Sequence, residues 1–327
     1  MNILIIGGSV FLGRHLVAAC RQSEHRVTLF NRGNSIPAEQ ANLEHIKGDR
    51  KTDLPLLAGR RWDAVIDTCG MDPETVGLSA NALKDSSDLY VYISSISAFE
   101  NFSKPGMTEG APAKLTPKEQ EQDYGSNKAW SEKEVVDALG KHALIIRPGL
   151  IVGRYDPTDR FTYWVRRVAR GGKILAPGRP ERSIQFIDVR DLSEWIIRLV
   201  EAKIWGTFNV TGPGFPLSMR EFLYTCREIA RSNAEFVFVD DEKLTALDIQ
   251  PWMELPLWIP ESDREHAGFL QIDCLRAQNT GLSYRTLAET VEDTLEWDKT
   301  RDQKTPLKAG LSSEKEKSLL SVLVAPH

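Results

Sequence analysis

The sequence predicts an α/β protein built on a doubly wound parallel sheet. Two observations carry that prediction. Short apolar, β-branched runs alternate with helical stretches through the first half of the 327 residues, the pattern of a parallel sheet covered on both faces. The first such run, Asn2–Ile6, enters the turn Gly7-Gly8-Ser9-Val10-Phe11-Leu12-Gly13, after which Leu16, Val17 and Cys20 continue the helical spacing begun at Phe11 and Leu12. The length suits one large domain or two modest ones.

Each element follows from its own residues. Residues 26–30 (RVTLF) form a second strand ending at Asn31-Arg32-Gly33, and residues 45–48 a short third strand followed by Asp49-Arg50. Residues 63–67 (DAVID) make a fourth strand with Thr68-Cys69-Gly70 at its carboxyl end. A helix over residues 73–83 leads to a fifth strand at 89–94. A polar loop from 99 to about 122 precedes a helix from Tyr124 to Leu139, and residues 143–147 form a sixth strand ended by Pro148-Gly149. The second half is less regular. A helix over 161–170 ends at Gly171-Gly172, residues 183–187 (SIQFI) read as a strand, and a helix over 189–202 starts behind Asp188. A strand over 206–210 leads into a loop at 211–214. Residues 251–261 form a Trp/Pro-rich loop, either packed surface or a cover for a site. Ser313-Glu-Lys-Glu316 has the spacing of a capping box opening a last helix to about Leu323.

Composition narrows the function. With 41 Lys and Arg against 46 Asp and Glu, the net charge is −5, which offers no electrostatic footprint for nucleic acid. No basic leader or membrane-length apolar run is present. The four cysteines lack C-x-x-C spacing and the six histidines are dispersed, so no disulfide framework and no metal site is expected. A cytoplasmic protein acting on a small molecule is the expectation.

Two stretches carry chemistry. A strand, a glycine turn and a helix N-terminus make an anion site, because outward backbone N–H groups and the helix dipole favour a pyrophosphate that small residues let approach. Gly7, Gly8, Ser9, Phe11, Leu12 and Gly13 are the candidate contacts. Tyr124 and Lys128 stand four apart on one helical face, and a lysine cation would favour the phenolate of a tyrosine that otherwise titrates near 10. Ser94-Ser95-Ile-Ser97 and Arg147-Pro148-Gly149-Leu150 end neighbouring strands on the rim where open α/β sheets bind ligands.

With these motifs in order, and with Phe186-Ile-Asp-Val-Arg-Asp191 behind them, the chain resembles the extended, epimerase/dehydratase-like short-chain dehydrogenase/reductases. The details are most like an atypical bacterial, isoflavone-reductase-like subgroup that is also similar to chloroplast stem-loop RNA-binding proteins. The resemblance implies a Rossmann-type sheet over residues 1–152, with 184–214 returning to it, and a smaller carboxyl-terminal substrate-binding cap from 153–183 and 215–327. It implies Tyr124 as acid/base, Lys128 as its cationic partner and nicotinamide-ribose ligand, and Ser95 as donor to the reacting carbonyl, with Ser97 as a substitute. It also implies cofactor contacts from Asp49, Arg50, Thr68, Cys69, Gly70, Pro148, Gly149 and Leu150. NAD sites usually place a carboxylate after the second strand. Asn31-Arg32 stands there instead, so NADP is expected over NAD, its 2′-phosphate met by a guanidinium, with Arg14 as a second donor.

The substrate is less legible. The residues after Ser95 are Ile96-Ser97 rather than the Asp-Glu of sugar dehydratases, and Leu150 stands where sugar-nucleotide epimerases carry asparagine. An NAD(P)-dependent oxidoreductase acting on a carbonyl or alcohol leads. The alternatives are an epimerase or dehydratase that retains its cofactor, and a non-catalytic nucleotide-sensing or RNA-binding protein. Arg154, Arg182, Gln185 and Trp252 are candidate substrate contacts. A homodimer through the Tyr124–Leu139 helix, using Trp130, Val135 and Val136, is compatible with the sequence.

Overall fold

The structure is a computed structural model that describes residues 1–117 and 119–323; the last four residues of the 215–327 cap segment lie outside the described residues. Six strands of the first half are β1 (Asn2–Ile6), β2 (Arg26–Asn31), β3 (Glu44–Lys47), β4 (Ala64–Asp67), β5 (Tyr90–Ile93) and β6 (Ala143–Pro148). With the strand Gly206–Val210 they form one parallel seven-stranded sheet. Its order is β3-β2-β1-β4-β5-β6 and then 206–210. The chain winds outward from β1 to β3, then returns to β4 and winds the other way. The carboxyl ends of β1 and β4 therefore border a topological switch point, where a crevice opens.

Both faces are covered, which is why the strands read as continuous apolar runs. Helix α1 (Phe11–Gln22) and helix α5 (Val189–Glu201) pack Leu12, Leu16, Trp195 and Ile196 against Ile3, Ile5 and Val91. On the other face, α2 (Pro73–Leu83) and α3 (Tyr124–Leu139) set Val76, Ala80, Val135 and Leu139 against Leu4, Tyr90 and Ile145. A further core gathers α4 (Arg160–Ala169), α6 (Met219–Ala230) and the helix Leu287–Lys299 around Trp164, Phe222 and Trp258.

Several elements of the second half differ from the sequence expectation. The run 183–187 is two short pieces: Ser183–Ile184 pairs antiparallel with Leu217–Ser218, and Ile187–Asp188 pairs with Ile151–Val152. The Gln185 side chain between them exchanges both amide hydrogen bonds with the Ile272 backbone (2.8 and 3.1 Å). The parallel pair Lys173–Pro177 and Glu235–Val239 was not foreseen. The capping box expected at Ser313 and Glu316 does not form. Glu316 is buried, accepting from Arg167 Nε at 2.5 Å and from the Leu175 amide at 3.1 Å, while Ser312 Oγ accepts the Lys315 N–H. Capping boxes occur instead at Ser218/Glu221 and Thr286/Glu289. No helix among the described residues is long and apolar enough to cross a membrane.

Candidate functional site

At the switch point lies a cleft of about 970 Å³. Its floor is the turn after β1. Gly7 and Gly8 take φ of +97° and +84°, a region that a side chain would strain. A Cβ on Gly13 would meet Gly8 Cα at 2.5 Å, so only hydrogen lets α1 come this close to the turn. Gly7, Gly8, Ser9, Phe11, Leu12 and Gly13 all line the cleft. Asn31 and Arg32 form one side. Asn31 is fixed, donating to Gly7 O at 2.6 Å and accepting from Gly33 N and His45 Nε2. Arg32 is exposed at the rim beside Asn34 and Ser35. Arg14 does not join it. Its guanidinium pairs with Glu39 and lies 3.4 Å from the Tyr155 ring centroid.

The opposite wall holds Thr68, Cys69, Ser95, Ser97, Tyr124 and Lys128. Tyr124 is the first residue of α3, behind Asp123, whose carboxylate caps the helix through the Ser126 N–H. Gly125 follows because a Cβ there would meet Ser97 O at 2.2 Å. That close approach carries Tyr124 beside Ser95, whose Oγ accepts the Ser97 N–H at 3.1 Å. Desolvation by the cleft walls pushes the Tyr124 pKa up, against the opposing influence of the neighbouring Ser95 hydroxyl. One turn on, Lys128 Nζ donates to Gly70 O at 2.7 Å and Ile93 O at 2.8 Å. Burial lowers its pKa to about 8. The ammonium is 6.0 Å from the Tyr124 ring centroid, and its close contacts are to backbone rather than to the phenol. The simple expectation that the lysine lowers the tyrosine's pKa therefore does not describe this geometry.

Pro148, Gly149 and Leu150 continue the wall from β6, and Trp252 closes it from the 251–261 loop. Trp258 of the same loop is core, its indole N–H bonded to Asp241 at 2.8 Å. Six candidates lie elsewhere. Asp49 turns onto the Lys51 N–H. Arg50 forms a fork to buried Asp67 (3.0 and 2.6 Å) beneath β4. Gly70 holds Lys128 through its carbonyl but does not line the cleft. Arg154 pairs with Asp293 at 2.6 Å, Arg182 pairs with Asp241 at 2.5 Å, and Gln185 is bonded to Ile272. Each of these polar side chains is satisfied by a long-range or turn partner that a linear reading does not reveal. The expected dimer face is also partly consumed: Val135 is core and the Trp130 indole donates to Thr116 O at 2.7 Å, leaving Val136 exposed.

The sequence reading missed the far end of the cleft, formed by Asp156, Thr158, Arg160 and Phe269. The signal was the Asp156-Pro157 turn and the helix start that follows β6. It also missed Glu132, one turn beyond Lys128. Glu132 takes both arms of Arg147 (2.8 and 2.6 Å) and the Ser94 hydroxyl in a buried cluster behind Ser95.

Residues 75–211 match the model of the NAD dependent epimerase/dehydratase family. The chloroplast stem-loop binding protein of 41 kDa b from Arabidopsis thaliana is 28% identical over 64% of this chain, which spans 58% of that relative's length. The solved UDP-N-acetylglucosamine 4-epimerase of Bacillus cereus superposes with a TM-score of 0.69 at 17% identity, covering 94% of this chain and 99% of that one. UDP-glucose 4-epimerase of Bifidobacterium longum, in complex with NAD+ and UDP, gives 0.66 at 17% identity over 92% and 99%. These two likenesses are of fold. The likeness to the NAD dependent epimerase/dehydratase family rests on residues 75–211.

Proposed function

We propose that this protein is an NAD(P)-dependent oxidoreductase that reduces a carbonyl, or oxidises the corresponding alcohol, on a small molecule held between the sheet and the cap formed by residues 153–183 and 215–323. The observation that carries the reading is the convergence of Ser95, Tyr124 and Lys128 on the cleft whose floor is the glycine turn. The turn fits a dinucleotide: Gly7 and Gly8 hold positive φ and Gly13 lets α1 pack onto Gly8, so that small residues leave the backbone open to a pyrophosphate. When bound, the nicotinamide supplies or accepts the hydride. Tyr124, held as a neutral phenol by its surroundings, is the proton donor to the forming alkoxide, and Ser95 Oγ orients the carbonyl. Lys128 has spent two of its three donors on Gly70 and Ile93, so one remains for a ribose hydroxyl.

NADP is the preferred form. No carboxylate stands at the end of β2, and exposed Arg32 flanks the position a 2′-phosphate would take. The family match favours a second reading, an epimerase that keeps its cofactor through a reversible oxidation. The stem-loop relative's name raises RNA binding, which the net charge of −5 opposes.

Titration of the purified protein with NADPH and NADH, followed by nicotinamide fluorescence, is the first test. A preference for NADPH with no cofactor co-purifying supports the reductase. Stoichiometric co-purifying NAD transfers support to the epimerase, and absence of any dinucleotide binding overturns both. In a carbonyl screen with NADPH, Tyr124→Phe is expected to lower turnover by about 10²–10⁴-fold, the usual worth of a positioned proton donor, with dinucleotide affinity unchanged.

A further inference from the structure

Four arginines of the cap are held by carboxylates. Arg154 is paired with Asp293, Arg166 with Asp298, Arg167 with Glu316 and Arg182 with Asp241. Arg160 is different. It opens α4, lines the cleft, and has no hydrogen bond or ion pair among the described residues; its guanidinium lies 5.3 Å from the Trp252 ring centroid. The cleft desolvates it enough to lower its pKa, against the opposing charges of nearby Asp156 and, more weakly, Tyr124. A guanidinium stripped of part of its water and left with five unused donors is costly unless something supplies acceptors.

A second unpartnered group faces the same space. Asp156 lines the cleft and is 2% exposed. Its Oδ1 accepts the Thr158 N–H at 2.8 Å and the Thr158 hydroxyl at 2.7 Å, while Oδ2 is buried without a partner. Asp159, the residue that would cap α4, does not do so. Its carboxylate accepts from Arg301 at 2.7 Å and from the Lys308 N–H at 3.0 Å, so the first turn of α4 has no side-chain cap. Trp252 and Phe269 supply flat apolar surface at the same end.

We infer that the substrate is a hydroxylated anion whose carboxylate or phosphate is bound by Arg160 while one of its hydroxyls donates to Asp156 Oδ2, the ring or chain between them lying on Trp252. The assignment rests on the cleft being the substrate site of a dinucleotide-dependent enzyme, and it places the anion on the reacting fragment itself, close to Tyr124. It also accounts for a carboxylate and a guanidinium in one cleft end: the first selects hydroxyl donors, the second the charge.

The test uses full-length protein saturated with NADP+, titrated calorimetrically with D-glucuronate, D-glucose 6-phosphate and D-glucose. One of the two anions is expected to bind roughly tenfold or more tightly than neutral glucose, the worth of one charge-assisted contact, and which one does so identifies carboxylate or phosphate. Arg160→Gln is expected to abolish that preference and Arg160→Lys to restore part of it, with NADP+ affinity unchanged in both. Tyr124→Phe should bind the same anion as well as wild type, so a failure of the proton-donor role leaves this inference standing. NADP+ binding without a preference for either anion overturns the inference alone, as does an equal preference in Arg160→Gln. Failure of the wild type to bind any dinucleotide overturns it together with the functional reading on which it rests.

Discussion

The two sides of the cleft are built by different means. On the sheet side the main chain makes the surface: the β1 turn offers backbone amides, β5 and β6 end in Ser95 and Pro148-Gly149, and α3 is pulled in by the Gly125–Ser97 contact. On the cap side, side chains hold the frame. Arg166 forks onto Asp298 with both groups 5% or less exposed, Arg167 and the Leu175 amide share Glu316, and Arg182 grips Asp241. The difference teaches that a charged residue's role here follows from what has already claimed it. The sheet side leaves Tyr124 and Ser95 facing the cleft because its structure is satisfied by ladder hydrogen bonds. The cap uses Arg166, Arg167 and Arg182 to hold its frame, while Arg160 lines the cleft without a hydrogen bond or ion pair among the described residues.

That contrast can be broken in order of effect. Asp298→Ala should destabilise the protein by about 3–5 kcal/mol, since it strands Arg166 in the cap core. Chemical denaturation measures the loss, and dinucleotide affinity of the folded fraction should stay at the wild-type value. A small loss would mean the cap does not depend on its ion pairs. Gly13→Ala forces a methyl into Gly8 backbone, with an expected cost of about 1–3 kcal/mol for overpacking and a large loss of dinucleotide binding; unchanged binding would show that the close approach is not what shapes the floor. Arg32→Ala should weaken NADPH about tenfold while leaving NADH alone, the equivalent of one charge-assisted contact. Equal losses for both cofactors would remove the case for the 2′-phosphate.

The smallest effect is a pH dependence. Lys128, lowered to about 8 by burial, sheds its proton in the folded protein before the unfolded chain does. From about pH 8 toward its ordinary value near 10.4 the unfolded state binds more protons, so this group adds stability as pH rises. Denaturation midpoints of wild type and Lys128→Met, compared across that window, should converge toward high pH and separate toward low pH in favour of the variant. Parallel curves would mean that the ammonium is better solvated than its contacts with Gly70 and Ile93 suggest.

The sequence by itself determined the parallel sheet, its flanking helices in the first half, the glycine turn and the Tyr124–Lys128 face. Those features are local: a strand's apolar run, a turn's glycines and an i, i+4 spacing act within a few residues, so their physics is written in consecutive letters. It could also point to Ser95, Arg32 and Trp252, which do line the cleft. Only the tertiary structure decided which arginines are free. Arg50 is claimed by Asp67, Arg154 by Asp293 and Arg182 by Asp241, pairings between residues 17 to 139 positions apart. The same holds for the split of 183–187, where Ile272 takes the Gln185 amide, and for Glu316, drawn from its expected cap into the cap core by Arg167. A buried charge goes to whichever partner the folded chain brings within reach, because leaving it unpaired costs more than any local preference can return.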